Sequence, residues 1–154
     1  MQKEIQYSLL NRTDLKEVEL LQTANMKEIN TVWNVNEMSS FLLKKESFSI
    51  VAKFKKTIIG FSFFLRIQDT LEVFLIFVEP NFRRKGIARK FFEDVINFCN
   101  KNLINQISLE VNVTNRNAIC FYEEINFKKV RIRENYYSVG QKKYDALVMR
   151  YVLN

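Results

Sequence analysis

Histidine is missing altogether from this sequence, and glycine, proline and cysteine are scarce: three, one and two residues among 154. Each shortage excludes chemistry. Without histidine there is no Ser-His-Asp or Cys-His nucleophile, no Cys₂His₂ zinc site and no histidine-ligated haem. Proton transfer near neutral pH falls to other groups, carboxylates and phenols first. The two cysteines, Cys99 and Cys120, build no disulfide framework, and no Cys-x-x-Cys occurs. Both fall in helix-like stretches and are expected to be reduced core thiols. Gly60, Gly86 and Gly140 are too far apart for a G-x-G-x-x-G or Walker loop. The longest apolar run, Val73–Val78, is far short of the ~20 residues that span a bilayer. The charged start Met1-Gln2-Lys3-Glu4 leads into no signal-peptide stretch. No membrane association is expected, and the expected compartment is the cytoplasm.

Apolar residues make up 47% of the chain and aromatics 14%, enough for a substantial core. The length fits one domain over residues 1–154. The net charge of +7 is unevenly spread. Residues 1–50 carry six Lys and Arg against seven Asp and Glu; the remainder carries 18 against 10. The densest block, Arg83-Arg84-Lys85-Gly86-Ile87-Ala88-Arg89-Lys90, has five cations in eight residues. Such a block favours a phosphate-bearing partner, either nucleic acid or a nucleotide cofactor, and it equally suits a solvated cationic helix start. Charge alone does not choose among these.

Hydrophobic periodicity predicts an alternating order of elements. Residues 4–10 alternate weakly and suit a first strand. Thr13 is expected to cap a helix with Leu15, Val18, Leu20 and Leu21 as its apolar stripe. Asn34 and Glu37 have capping-box spacing for a short helix through Leu43. Phe48–Lys53 and Ile58–Gln68 read as strands. Leu71–Val78 reads as a strand buried on both faces, ended by Pro80. Gly86–Asn100 reads as a helix, Gln106–Val113 as a strictly alternating strand, and Asn115–Ile125 as a helix capped by Asn115. Asn126 suits the left-handed position after that helix. Strands over Lys128–Asn135 and Lys143–Val152 complete the order β-α-α-β-β-β-α-β-α-β-β, an α/β mixed sheet of about seven strands with four helices.

The junction after Val78 carries the strongest local signal. A strand ends, a cationic loop follows, and a helix opens at Gly86. Unpaired N–H groups and the helix dipole make such a start receptive to anions. Gly86, lacking a Cβ, lets a phosphate approach its backbone.

Arg83-Arg84-Lys85-Gly86-Ile87-Ala88 matches the R/Q-x-x-G-x-G/A motif, and on it the chain resembles the GNAT N-acetyltransferases. The resemblance extends over nearly the whole chain and is closer to one branch, the ribosomal-protein-alanine N-acetyltransferases. Leu109-Glu110-Val111 followed by Asn115, then Ala118, Phe121-Tyr122-Glu123 and Phe127, is similar to its L-E-V-x-x-x-N…A-x-x-L-Y-E…G-F run. Arg133-x-x-Tyr136-Tyr137 and Asp145-Ala146-x-x-Met149 resemble its R-x-x-Y-Y…D-A-x-x-M ending. Asn126 stands for the Gly of G-F, and Val32 and Ser138 replace two prolines near the peptide-access loops.

The resemblance implies a GNAT fold whose fourth and fifth strands splay apart, and acetyl-CoA as cosubstrate with no metal. It implies cofactor contacts from Ile76, Phe77 and Val78 at the strand end, and from Arg83, Arg84, Lys85, Gly86, Ile87, Ala88 and Arg89 in the loop and helix start. Asn115 joins them. Glu110 is implied as the base that takes the amine proton and Tyr122 as the acid that protonates the leaving sulfur, with strand amides near Phe77 and Val78 holding the oxyanion. Trp33, Tyr136 and Tyr137 are implied on the substrate side. Read without the resemblance, Glu110 is better taken as an ordinary solvent-facing strand residue and Tyr122 as a core aromatic. The expected acceptor is a protein N-terminus, a ribosomal protein exposing alanine, and the enzyme is expected to act as a monomer without direct nucleic-acid binding. Rival readings are a GNAT enzyme acting on a small-molecule amine or a lysine side chain, and a basic nucleic-acid-binding module.

Overall fold

The computed structural model describes residues 4–29 and 31–154; residues 1–3, part of the charged start read above, and Asn30 lie outside them. Among the described residues seven strands form one sheet in the order β1-β2-β3-β4-β5-β7-β6. They are β1 (Ile5–Leu9), β2 (Ser47–Phe54), β3 (Thr57–Ile67), β4 (Thr70–Val78), β5 (Gln106–Asn112), β6 (Lys128–Val139) and β7 (Lys142–Val152). The helices are α1 (Leu15–Ala24), α2 (Val35–Leu42), α3 (Ile87–Lys101) and α4 (Arg116–Glu124). The order is the one the periodicity predicts.

Two helix packings sandwich the sheet. Leu15 and Val18 of α1 and Met38 and Phe41 of α2 join Val51, Phe61, Phe63 and Phe77 in one buried cluster. Ile87, Phe91, Val95 and Cys99 of α3 and Tyr122 of α4 join Leu71, Ile107, Leu109 and Met149 in the other. Neighbouring strands thus send alternate side chains to opposite helix layers. At Gly60 on β3 the packing is tight: a Cβ there would stand 3.1 Å from the carbonyl oxygen of Phe77 on the neighbouring strand and 3.5 Å from Phe91 of α3.

Several local expectations are corrected. The first turn is capped by Asn11, whose side chain accepts from the Thr13 N–H while Asp14 returns a bond to the Asn11 N–H. Thr13 sits inside that 3₁₀ turn and does not cap α1. Leu20 is exposed, and its expected place on the buried stripe is taken by Gln22. Cys99 is buried, and burial pushes its thiol up to about 11. Cys120 is exposed on α4, so it is not a core thiol. Strand β4 is not buried on both faces: Phe74 is exposed and Val73, Leu75 and Ile76 are half-buried. The reason is topological, because β4 pairs with parallel β5 only from Thr70–Gln106 to Glu72–Ser108 and then diverges from it. Strand β6 also runs beyond Asn135 to Val139, through a register shift between Arg133 and Tyr137. Tyr136 and Tyr137 therefore lie on a strand.

The helix α2 cap formed as its spacing predicts. The Asn34 side chain accepts from the Glu37 N–H at 3.0 Å, and the Glu37 carboxylate accepts from the Asn34 N–H at 2.8 Å. Asn34→Ala removes half of this box from a helix of only eight residues. It is expected to cost about 0.5–2 kcal/mol and to lower Tm by about 2–4 °C per kcal/mol lost, readable by calorimetry.

Candidate active site

The divergence of β4 and β5 opens a cleft of about 370 Å³. Val73 to Phe77 form one wall and Leu109 to Asn112 the other, while Asn115, the N-cap of α4, and Ala118 and Tyr122 of α4 close one end. Glu28, Ile29, Thr31 and Trp33, between α1 and α2, contribute from the opposite layer, and Tyr137 reaches in from β6. Of the residues singled out from the sequence, Glu110, Tyr122, Ile76, Phe77, Asn115, Trp33 and Tyr137 line this one cavity.

The strand edges explain the cleft's polarity. The Glu79 N–H donates to the Ile59 carbonyl on β3 at 2.8 Å. Alternation along an extended strand then aims the Val78 and Ile76 amides away from β3, into the gap, and the Phe77 amide back toward β3. Sequence alone does not separate Phe77 from Val78 in this respect.

Beyond Val78, Pro80–Phe82 makes a 3₁₀ turn and the chain reaches α3 through two left-handed residues, Arg84 (φ 61°) and Gly86 (φ 82°). The first i→i−4 bond of α3 is from the Lys90 N–H to the Gly86 carbonyl, at 2.9 Å. The amides of Gly86, Ile87, Ala88 and Arg89 consequently have no intrahelical partner, and Gly86 supplies no side-chain cap. The cations of this loop differ in what they do. Arg83 bonds the Glu28 carboxylate at 2.5 Å and the Val78 carbonyl at 2.9 Å, and lies over the Phe77 ring. Lys85 bonds the Asn81 carbonyl at 3.1 Å and lies over Phe82. Arg84 and Arg89 are exposed.

Glu110 sits on the β5 face opposite Leu109 and Val111, whose side chains pack beneath α3 and α4. Its carboxylate accepts from the Arg133 guanidinium at 2.5 Å, and its backbone carbonyl accepts from the Tyr137 hydroxyl at 3.1 Å. Arg133 also stacks on the Tyr136 ring, 4.2 Å from its centroid. Burial, then the negative charge of Glu110, pushes the Tyr137 phenol up to about 12. The Tyr136 phenol is raised chiefly by its hydrogen bond to Glu110. Glu72, on the same face of β4, is raised by burial and then by Glu110.

Tyr122 is 7% exposed, packed edge-on against Phe92 and tilted against Phe121 and Phe127. Burial raises its phenol well above the ordinary value, so it keeps its proton throughout the neutral range. The core and cleft readings of Tyr122 are thus compatible: one face packs while the residue lines the cavity. Asn115 caps α4, its side-chain oxygen accepting from the Ala118 N–H at 3.2 Å. Trp33 is held by its backbone: the fully buried Gln22 amide donates to its carbonyl at 3.1 Å and accepts from its N–H at 2.9 Å. Its ring rests among Phe41, Phe63 and Phe74.

Sequence reasoning assigned no role to Gln22, Glu28, Glu72 or Arg133. Gln22 reads as an ordinary polar helix residue, and Glu28 lies in a stretch without periodicity. Arg133 stood in a quoted motif, but its partner is 23 residues away.

The family model described as the acetyltransferase (GNAT) domain matches residues 12–141. The ribosomal protein bS18-alanine N-acetyltransferase of Salmonella typhimurium is 35% identical over 83 residues, 54% of this chain and 56% of that protein. The N-alpha-acetyltransferase of Saccharolobus solfataricus is 41% identical over 70 residues, 45% of this chain and 42% of that protein. The chain thus matches about half the length of each of these relatives. The crystal structure of the ribosomal-protein-S18-alanine N-acetyltransferase from Escherichia coli superposes with a TM-score of 0.84 at 24% identity, covering 96% of this chain and 93% of that one.

Proposed function

Because the chain belongs to the acetyltransferase (GNAT) domain family, we propose that it transfers the acetyl group of acetyl-CoA to the α-amine of a protein N-terminus, an alanine-initiated ribosomal protein being the first acceptor to test. The observation that carries this reading is the cleft between the diverging strands, where a carboxylate and a buried phenol line one cavity. The names of the relatives support the choice of acceptor.

Acetyl-CoA would be held by the uncapped amides of Gly86, Ile87, Ala88 and Arg89, by the Arg84 guanidinium and by the gap-facing amides of Ile76 and Val78. Arg83 and Lys85 serve by shaping this loop through the Glu28, Val78 and Asn81 contacts. Asn115 spends its side-chain oxygen on α4, which leaves its NH₂ group to donate to the cofactor arm. When bound, acetyl-CoA supplies an activated acetyl thioester. Glu110 then receives the proton that the acceptor amine must lose, because an ammonium has no lone pair. Tyr122 donates its phenolic proton to the departing sulfur. The Val78 amide stabilises negative charge developing on the carbonyl oxygen, a role Phe77 is turned away from. Trp33, Tyr136 and Tyr137 border the acceptor side.

Purified protein is expected to acetylate alanine-initiated peptides in a panel that also holds polyamines, aminoglycosides and internal-lysine peptides. Transfer confined to the last three groups would move the acceptor class, and absence of all transfer would sink the reading. Arg84→Ala is expected to raise KM for acetyl-CoA about tenfold, the effect of losing one charge-assisted bond to a phosphate, with kcat nearly unchanged. Steady-state kinetics against acetyl-CoA checks it.

A further inference from the structure

The carboxylate that faces the cleft already has a cation. Arg133 reaches Glu110 from β6, two strands away, with β7 between them. Ala146 stands in register with both Asn112 and Arg133, and Val148 with Glu110. These short side chains on the shared face leave the long guanidinium an unobstructed diagonal. The pair is wet: the Glu110 and Arg133 side chains are 24% and 40% exposed. Exposed pairs of this kind are weak and readily exchanged. The backbone register shift between Arg133 and Tyr137 frees this part of β6 from regular pairing. The Tyr136 ring under the guanidinium gives it a second contact besides the Glu110 carboxylate, although the Tyr136 phenol itself bonds Glu110.

A guanidinium on Glu110 occupies the position that an acceptor ammonium needs. We propose that Arg133 is a positioning residue that holds the acceptor's place in the free enzyme. It yields Glu110 to the incoming amine while staying on the Tyr136 ring, and returns when the nitrogen has become an amide. The inference rests on the reading that Glu110 meets the acceptor amine. Its driving force is the chemistry of acyl transfer. The ammonium first gives one proton to Glu110 and on to solvent; as the N–C bond then forms and the C–S bond breaks, the nitrogen loses a second proton, which replaces the one Tyr122 gives to the departing thiolate. The product amide is neutral, so it has no charge with which to compete for the carboxylate, and Arg133 takes the carboxylate back. Without Arg133, the substrate ammonium would be held more tightly and the neutral product no differently.

Two measurements test this. With CoA present, the Arg133 Nε–H resonance is followed while alaninamide or N-acetylalaninamide is added. Alaninamide is expected to shift the resonance and N-acetylalaninamide to leave it in place; in Glu110→Gln the response to alaninamide disappears. Kinetically, Arg133→Gln is expected to lower the acceptor KM about two- to fivefold and to leave the inhibition constant of the acetylated peptide unchanged. KM for acetyl-CoA stays unchanged and Arg133→Lys restores wild-type values. A merely structural arginine would not separate the acceptor from its acetylated product in this way. An alaninamide response that is absent, or that persists in Glu110→Gln, overturns the proposal, as does a raised acceptor KM in Arg133→Gln. The probes need no knowledge of the true acceptor, so a failed peptide panel refutes the proposed acceptor and leaves this test intact. Full turnover by Glu110→Gln with an intact alaninamide response in the wild type would refute the proton-accepting role alone.

Discussion

Glu110→Gln is expected to lower kcat/KM for the acceptor by about 10²- to 10⁴-fold, the range for loss of a positioned proton acceptor. Glutamine keeps the side-chain shape and can still accept from Arg133 at the position seen for Glu110, but it cannot take a proton. The defect has a direction in pH. A free α-amine has a pKa of about 8, so below that the acceptor arrives protonated and the missing base is felt most. Above it a growing fraction arrives neutral, and the gap between variant and wild type narrows. A kcat/KM profile from pH 6 to 9.5, with thermal unfolding to verify the fold, reads this out. A defect constant across the range, or no defect, would remove Glu110 from the role of base.

Tyr122→Phe is expected to lower kcat by about 10²-fold or more while leaving KM for acetyl-CoA close to wild type. The substitution keeps the ring contacts with Phe92, Phe121 and Phe127, so a lost rate reports the hydroxyl and not the packing. Burial makes the phenol a weaker acid than a free tyrosine and keeps its proton in place. Its folded pKa lies above the ordinary ~10, so the donor form persists through pH 9.5, and wild-type kcat should show no alkaline fall from this group in that range. An alkaline limb that is present in the wild type and vanishes in Tyr122→Phe would contradict the assignment.

The element order was legible because each element announces itself locally. The Asn34–Glu37 box and the strict alternation from Ile107 to Val111 need only neighbours a few residues away. The same holds for the left-handed Asn126 (φ 72°) and for the Arg83–Ala88 motif. Local signals also misled where competing residues stood side by side. Asn11 and Asp14 captured the cap expected of Thr13, and Leu20 faced water although its hydrophobicity matched the stripe. The apolar run of β4 was read as doubly buried because sequence registers hydrophobicity, not whether a neighbouring strand stays parallel for three residues or nine.

By itself, then, the sequence determined the α/β order and the cationic helix start, both properties of short windows of chain, while the candidacy of Glu110 and Tyr122 came from the family resemblance. Tertiary structure decided what those residues meet. It opened β4 from β5 after Glu72, turned the Val78 amide and not that of Phe77 into the gap, and tied Arg83 to Glu28. It also carried Arg133 across Ala146 to Glu110. Strand register and divergence are set by the packing of the whole sheet between its helices, so contacts that depend on them have no signature in any local stretch of residues.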